Sequence, residues 1–130
     1  MRLQSDQLKQ RTMSFAITAL RLIDSMPTTQ SGLIIGRQLA KSATSVGANY
    51  RACCNARSRA EFIARLGVVV EEIDESLYWL EVTAGSQLLS SSKLLSVCAE
   101  AAELRAIFAK SLGTARSNLK MNKSNDQITR

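Results

Sequence analysis

SATSVGANYRACCNARSRAEFIARLGVVVEEIDESLYWL, residues 42 to 80, reads as two consecutive amphipathic helices with a capping signal between them. Glu61 follows Ser58 at the S-x-x-E spacing of a capping box, in which a hydroxyl and a carboxylate satisfy free amides at a helix start. After it, Phe62, Leu66, Val69, Ile73, Leu77 and Leu80 recur at steps of three and four, which is one buried helical stripe. Ile63, Val70 and Leu77 widen that stripe to one side. The widening predicts a second burial partner, a sister subunit, for this helix.

Outward from this stretch, two more helices follow. The first is predicted from Ser5 or Asp6 to Met26, where Pro27 forbids continuation, with Phe15, Ala19, Leu22, Ile23 and Met26 as its apolar stripe. Thr29 and Ser31 are candidate N-caps for a second helix over Gly32 to Arg57, with Ile35, Leu39, Val46 and Cys53 inward. Ala43 and Gly47, four apart, make a flat spot where a neighbouring helix can approach. The third helix spans Arg59 to Ala84, closed by Gly85 as its C′ residue. The fourth starts in the Ser90-Ser91-Ser92 cluster and ends near Gly113, with Leu94, Val97, Ala101, Leu104, Phe108 and Leu112 as its stripe. Short connections make neighbouring helices antiparallel. The expectation is an all-α, up-down-up-down four-helix bundle over residues 1–113, with 114–130 as a polar, basic, disordered tail.

Composition supports helices and removes several chemistries. Apolar residues make up 45% of the 130, with one Pro and six Gly to interrupt them. No uninterrupted apolar run reaches the about 18 residues of a membrane span, and no signal peptide is visible at the start. A cytoplasmic protein away from membranes is expected. Histidine is absent, which removes Ser-His-Asp catalysis and the Glu-x-x-His ligands of di-iron bundles. Cys53, Cys54 and Cys98 form neither a metal-binding CxxC nor a disulfide framework, and read as small buried groups. Glu71, Glu72 and Glu75 read as a solvated acidic face rather than a cation site. No catalytic residue, metal or cofactor is expected, and the chain does not read as an enzyme.

Three groups of residues are candidates for function. Charge is lopsided: residues 1–65 carry a net +7, 66–108 a net −5 and 109–130 a net +4. Arg37, Lys41 and Arg51 fall within about 80° of one another on the second helix, extended by Arg57 and Arg59. Arg116, Lys120 and Lys123 add charge from the tail. Such a surface can track RNA or DNA phosphates without reading sequence; a plain solvated helix face is the other reading. Second, Ser45 and Asn49 share a face, opposite Glu72 and Ser76 of the third helix, and form a polar cluster that fixes helix register. Third, Tyr78 and Trp79 lie off the main stripe and, with Ile63 and Val70, are assigned to an oligomer interface; the other reading is that Trp79 caps the bundle core.

The segments SATSVGANYR, ARSRAEFI and ESLYWLE closely resemble the bacterial four-helix bundle family encoded in intervening sequences of large-subunit ribosomal RNA genes, a family of unknown function. The similarity runs from Phe15 to Leu112 and is densest over Gln38 to Glu81. It implies a bundle assembled into a homo-oligomeric ring, a homopentamer. The accessory protein of diversity-generating retroelements looks like a more distant member of the same fold group, and it binds a reverse transcriptase and nucleic acid through a basic surface. The resemblance therefore favours a non-enzymatic, oligomeric nucleic-acid-binding or ribonucleoprotein accessory module. The alternative is a scaffold that binds a protein partner and never touches nucleic acid.

Overall fold

The computed structural model describes residues 2–128. Met1, Thr129 and Arg130 lie outside the described residues, so the last two positions of the expected tail are not addressed. Four helices make up the described residues: α1 (Arg2–Asp24), α2 (Gln30–Cys54), α3 (Arg59–Gly85) and α4 (Ser91–Ile128). Thr29 caps α2, its Oγ1 accepting from the Gly32 amide at 3.2 Å. Ser58 caps α3, accepting from the Glu61 amide at 3.1 Å, while Glu61 Oε2 reaches back to the Arg57 amide at 3.0 Å. The capping box is thus closed reciprocally, one residue earlier than its usual return bond.

Each helix runs against its neighbours. Gly47 of α2 faces Thr12 of α1, and Gly36 faces Ile23. Ser42 of α2 meets Ser76 of α3, and Asp74 of α3 meets Arg105 of α4. As numbering rises on one member of each pair it falls on the other, so the bundle is antiparallel throughout. α3 packs most extensively, against both α2 and α4, while α1 and α4 meet least. Arg11 spans that last seam, donating to Glu100 at 2.6 Å and lying 3.4 Å from Glu103. The core is the expected one, with Phe15, Leu39, Val46, Leu66, Val69, Ile73, Leu80, Leu94, Leu104 and Phe108 all buried.

The ends of α1 and α2 shift by two to four residues from expectation, α2 stopping at Cys54 so that Arg57 lies in the turn, and two further ends differ in kind. α4 does not stop near Gly113 but continues to Ile128, so the tail is helical to that point instead of irregular. One mid-helix glycine costs only about 1 kcal/mol. Across it, from buried Leu112 to half-buried Ala115 and Leu119, the apolar stripe of α4 continues at helical spacing. At the end of α3, Gly85 is an ordinary helical residue, and Gln87 instead takes the left-handed conformation at φ 60°. Leu88 N–H donates to the Thr83 carbonyl and Gln87 N–H to that of Ala84, both at 3.1 Å. This is a Schellman closure with Gln87 at C′.

Two sets of variants test these contacts by urea or thermal denaturation. A Cβ at Gly47 meets Thr12 Oγ1 at 3.0 Å and Thr12 Cβ at 3.3 Å, whereas one at Gly67 meets nothing within 4 Å. Gly47→Leu is therefore expected to lose about 1–3 kcal/mol through overpacking, and Gly67→Ala to gain roughly 0.5–1 kcal/mol of helix propensity. Gln87→Gly is expected to stabilise by up to about 1 kcal/mol, because glycine adopts the left-handed conformation without steric cost.

Candidate nucleic-acid interface

Antiparallel packing puts the start of α1, the end of α2, the start of α3 and the outer part of α4 at one end of the bundle. The basic residues follow. Arg51, Arg57, Arg59, Arg116, Lys120 and Lys123, all exposed, gather there, joined by exposed Lys110, half-buried Lys9 and exposed Arg2. Arg51 and Lys9 line one shallow groove between α1 and α2. Arg59 and Lys110 line a second, of about 870 Å³, between α1, α3 and α4. Arg116, Lys120 and Lys123 line a third with Ile63. Arg37 and Lys41 are not part of this pole. Arg37 sits at the opposite end, beside Ile23 and Pro27, and Lys41 lies part way along the flank, near enough to Glu72 to act on its charge. The predicted basic stripe is therefore divided, with about 20 Å of helix between Arg37 and Arg51.

The ion pairs sharpen this asymmetry. Among the described residues, Arg11 pairs with Glu100 and Glu103, Arg65 with Glu61, and Arg105 with Asp74. None of the predicted basic residues is in an ion pair among the described residues. Glu61, the acid nearest the pole's turn, is already engaged. The Arg57 amide and the Arg65 guanidinium hold its carboxyl below the ordinary carboxylate range.

The predicted polar cluster is rearranged. Ser45 donates to the Lys41 carbonyl at 2.7 Å and Asn49 to the Ser45 carbonyl at 2.8 Å, both within α2. The polar contact that crosses to α3 comes from Ser42, whose hydroxyl lies 3.1 Å from that of Ser76. Both are fully buried. Each also lies within reach of a carbonyl of its own helix, Leu39 at 3.3 Å and Glu72 at 2.8 Å. With one proton apiece, one hydroxyl donates across the interface and the other to its own helix. Glu72 reaches this pair only through its backbone. Burial, then repulsion from Glu75, pushes its carboxyl up, against the pull of Lys41.

The residues assigned to an oligomer interface are partly used inside the chain. Leu77 is buried, and Ile63, Val70 and Trp79 pack against the core as half-buried groups. The width of the α3 stripe is accounted for by its place between α2 and α4. Tyr78 alone of this group is exposed, its ring edge-on to Trp79 at 4.9 Å. Trp79 Nε1 is buried without a hydrogen-bond partner. Exposed apolar side chains instead collect on α1, at Met13, Ile17 and Leu20, and at Leu33 and Ile34 of α2.

Behind the basic pole lie the buried titratable groups. Burial, with Cys54 alongside, pushes the Tyr50 phenol up, and its ring packs 5.1 Å from that of Phe108. Burial pushes the Cys53 thiol up to about 11, and its Sγ donates to the Phe62 carbonyl. At neutral pH it is a thiol and not a nucleophile. Among the described residues no three His, Cys, Asp or Glu side chains are placed to hold a metal ion, and no helix is long and apolar enough to cross a membrane.

A profile of the 23S rRNA-intervening sequence protein family matches residues 4–110. The chain also resembles a crystal structure of a protein with unknown function from the S23 ribosomal protein family of Bacteroides thetaiotaomicron. The two share 27% sequence identity with a TM-score of 0.75, over 81% of this chain and 97% of that one. No curated protein sequence matches.

The raised Glu72 carboxyl has a consequence for stability. A carboxyl whose pKa is higher in the folded chain binds more protons there than in the unfolded chain, so its contribution falls as pH rises through the window above the ordinary value of 4.5. Glu72→Gln is expected to melt higher than the parent at pH 7, with the difference shrinking as pH falls below that value. Melting curves of the pair at the two pH values check both the sign and the window.

Proposed function

The chain belongs to the 23S rRNA-intervening sequence protein family, and we propose that it acts as a non-enzymatic, oligomeric module that binds the phosphate backbone of RNA or DNA in the cytoplasm. The observation that carries this reading is the basic pole. Three helices and a turn bring Arg51, Arg57, Arg59, Lys110, Arg116, Lys120 and Lys123 to one end, and no ion pair among the described residues neutralises any of them. Unpaired cations at the mutual distances of helix turns suit a polyanion whose charges repeat along a backbone. The start of α3 points into the same region and adds the positive end of its dipole. Arg37 and Lys41 form a secondary patch along the α2 flank.

Assembly fits the same surface logic. Met13, Ile17 and Leu20 offer an exposed apolar stripe on α1, and the acids of α3 and α4 are complementary in sign to the α2 flank. A ring of copies, five by family resemblance, would repeat the basic pole in every subunit. Weak contacts would then act as one multivalent surface. A protein scaffold remains the rival, favoured by exposed Tyr78 beside the acidic Glu71 and Glu75.

A mobility-shift titration separates the readings. Replacing Arg51, Arg116, Lys120 and Lys123 together by Ala is expected to leave helix content intact and abolish most binding. The Arg37→Ala, Lys41→Ala pair is expected to lose less. Each lost contact should flatten the salt dependence by about 0.9 in log K per log unit of salt on duplex DNA, and by about 0.7 on single strands. Undiminished binding by the folded quadruple variant would place the interface elsewhere. No binding by the parent at low salt would favour the scaffold.

A further inference from the structure

The groove of about 870 Å³ within the basic pole has a composition that a phosphate-tracking surface does not require. Phe62 and Ile107 form an apolar floor, Arg59 and Lys110 stand at its margin, and the carboxamides of Gln4 and Asn118 flank it. Past Gln4, Phe62 and Ser111 it continues into a smaller cavity of about 330 Å³, backed by the Tyr50–Phe108 ring pair. Phe62 lines both spaces and is paired with no other ring. Among the described residues, Gln4 and Asn118 have no side-chain hydrogen bond, and Arg59 and Lys110 have no ion pair.

We infer that this groove seats one unstacked nucleotide of a single strand, its base against Phe62 and its phosphate between Arg59 and Lys110. The inference rests on the nucleic-acid reading of the pole and adds to it a strand preference. A flat apolar surface receives a base of any sequence by stacking. A carboxamide presents a donor and an acceptor to the edge of a base, which explains two amides flanking an apolar floor. The same amides make the groove a poor seat for an acyl chain, which would desolvate them without return. Arg116, Lys120 and Lys123 follow on α4 within the next turns, at steps of four and three that keep them on one face. They line the separate groove with Ile63 on the other side of α4, and add to the attraction of the strand to the pole, not to the seat itself. The larger space, of about 870 Å³, falls within the range of about 300–1,000 Å³ typical of sites for small organic ligands. A duplex cannot use the floor, because its bases are already stacked and paired.

The test compares a short single strand carrying 2-aminopurine, whose emission reports stacking, with the same strand in a duplex. The full chain is used for both. The parent is expected to bind the single strand more tightly than the duplex and to change its emission. Phe62→Leu, which keeps an apolar side chain against the core, is expected to lower single-strand affinity about tenfold, abolish the emission change and leave duplex affinity unaltered. Lys110→Gln, on an exposed side chain, is expected to lower single-strand affinity by a larger factor than duplex affinity. If both variants fold and neither changes the emission or the strand preference, the seat is refuted while duplex binding keeps the pole. If neither polymer binds but 2-aminopurine riboside monophosphate responds to the parent and not to Phe62→Leu, the seat stands and the polymer reading falls. Silence from all three probes overturns both.

Discussion

Three turns of four or five residues each, 25–29, 55–58 and 86–90, constrain everything else in this structure. A connection that short cannot carry the chain back along a helix, so each helix must return beside its predecessor. Positions far apart in sequence are thereby folded onto one end: the first residues, the turn around Arg57, and α4 beyond Phe108. Part of the positive charge of the first half, at Arg51, Arg57 and Arg59, thereby meets that of the last segment, while Arg37 and Lys41 stay away from that end. Clustering like charges costs stability, but at exposed positions each repulsion is weak and screened. The core needs none of these residues. Their grouping is tolerated by the fold, not required by it, and that is why it carries functional weight.

What was legible in the sequence was whatever a helical repeat or a cap encodes locally. The stripe from Phe62 to Leu80, the Ser58–Glu61 box, the Thr29 cap and the Ala43/Gly47 flat spot each depend on residues within one or two turns. Features that depend on which of two neighbours wins were harder to read. Gly85 is the better left-handed former, yet Gln87 takes that conformation, because the α3 stripe holds the helix to Thr83 and beyond. Ser42 and Asn49 differ by only about 20° around α2, but Asn49 bonds the carbonyl four residues back in its own helix. Ser42, fully buried, is the one that crosses to Ser76 of α3. The widened α3 stripe reads in sequence as calling for a sister subunit. Within the chain α3 is flanked by α2 and α4, as α2 is by α1 and α3, and that position accounts for the width of its stripe.

The nucleotide-sized groove was illegible for a different reason. Its residues come from positions 4, 59, 62, 107, 110 and 118, on three helices, and helical spacing links them only within a helix, never across from one to the next. Phe62 reads in sequence as one more core residue, and Gln4 and Asn118 as ordinary solvated polar groups. Only the continuation of α4 past Gly113 brings Asn118 and the tail cations to the same end as Arg59. An expected break there removes one wall of the groove, and with it any reason to look for a site.

The distribution of ion pairs ties fold and charge together. Arg11 and Arg105, the two cations that lie against the acidic part of the chain, are both consumed by it, and Arg11 closes the sparsely packed α1–α4 seam in doing so. Glu61 is consumed by a helix cap. What is left over among the described residues is uneven: carboxylates such as Glu71 and Glu75 outside any ion pair on the outer face of α3, and most of the cations outside ion pairs at the pole, with Arg37 and Lys41 apart from it. Salt bridges between partly exposed groups contribute little individually, so this sorting is better understood as a division of the surface into regions of opposite sign than as a source of stability. A surface so divided has two uses available to it, attracting a polyanion to one region and aligning copies of itself through both, and the two are compatible because they need not share the same residues.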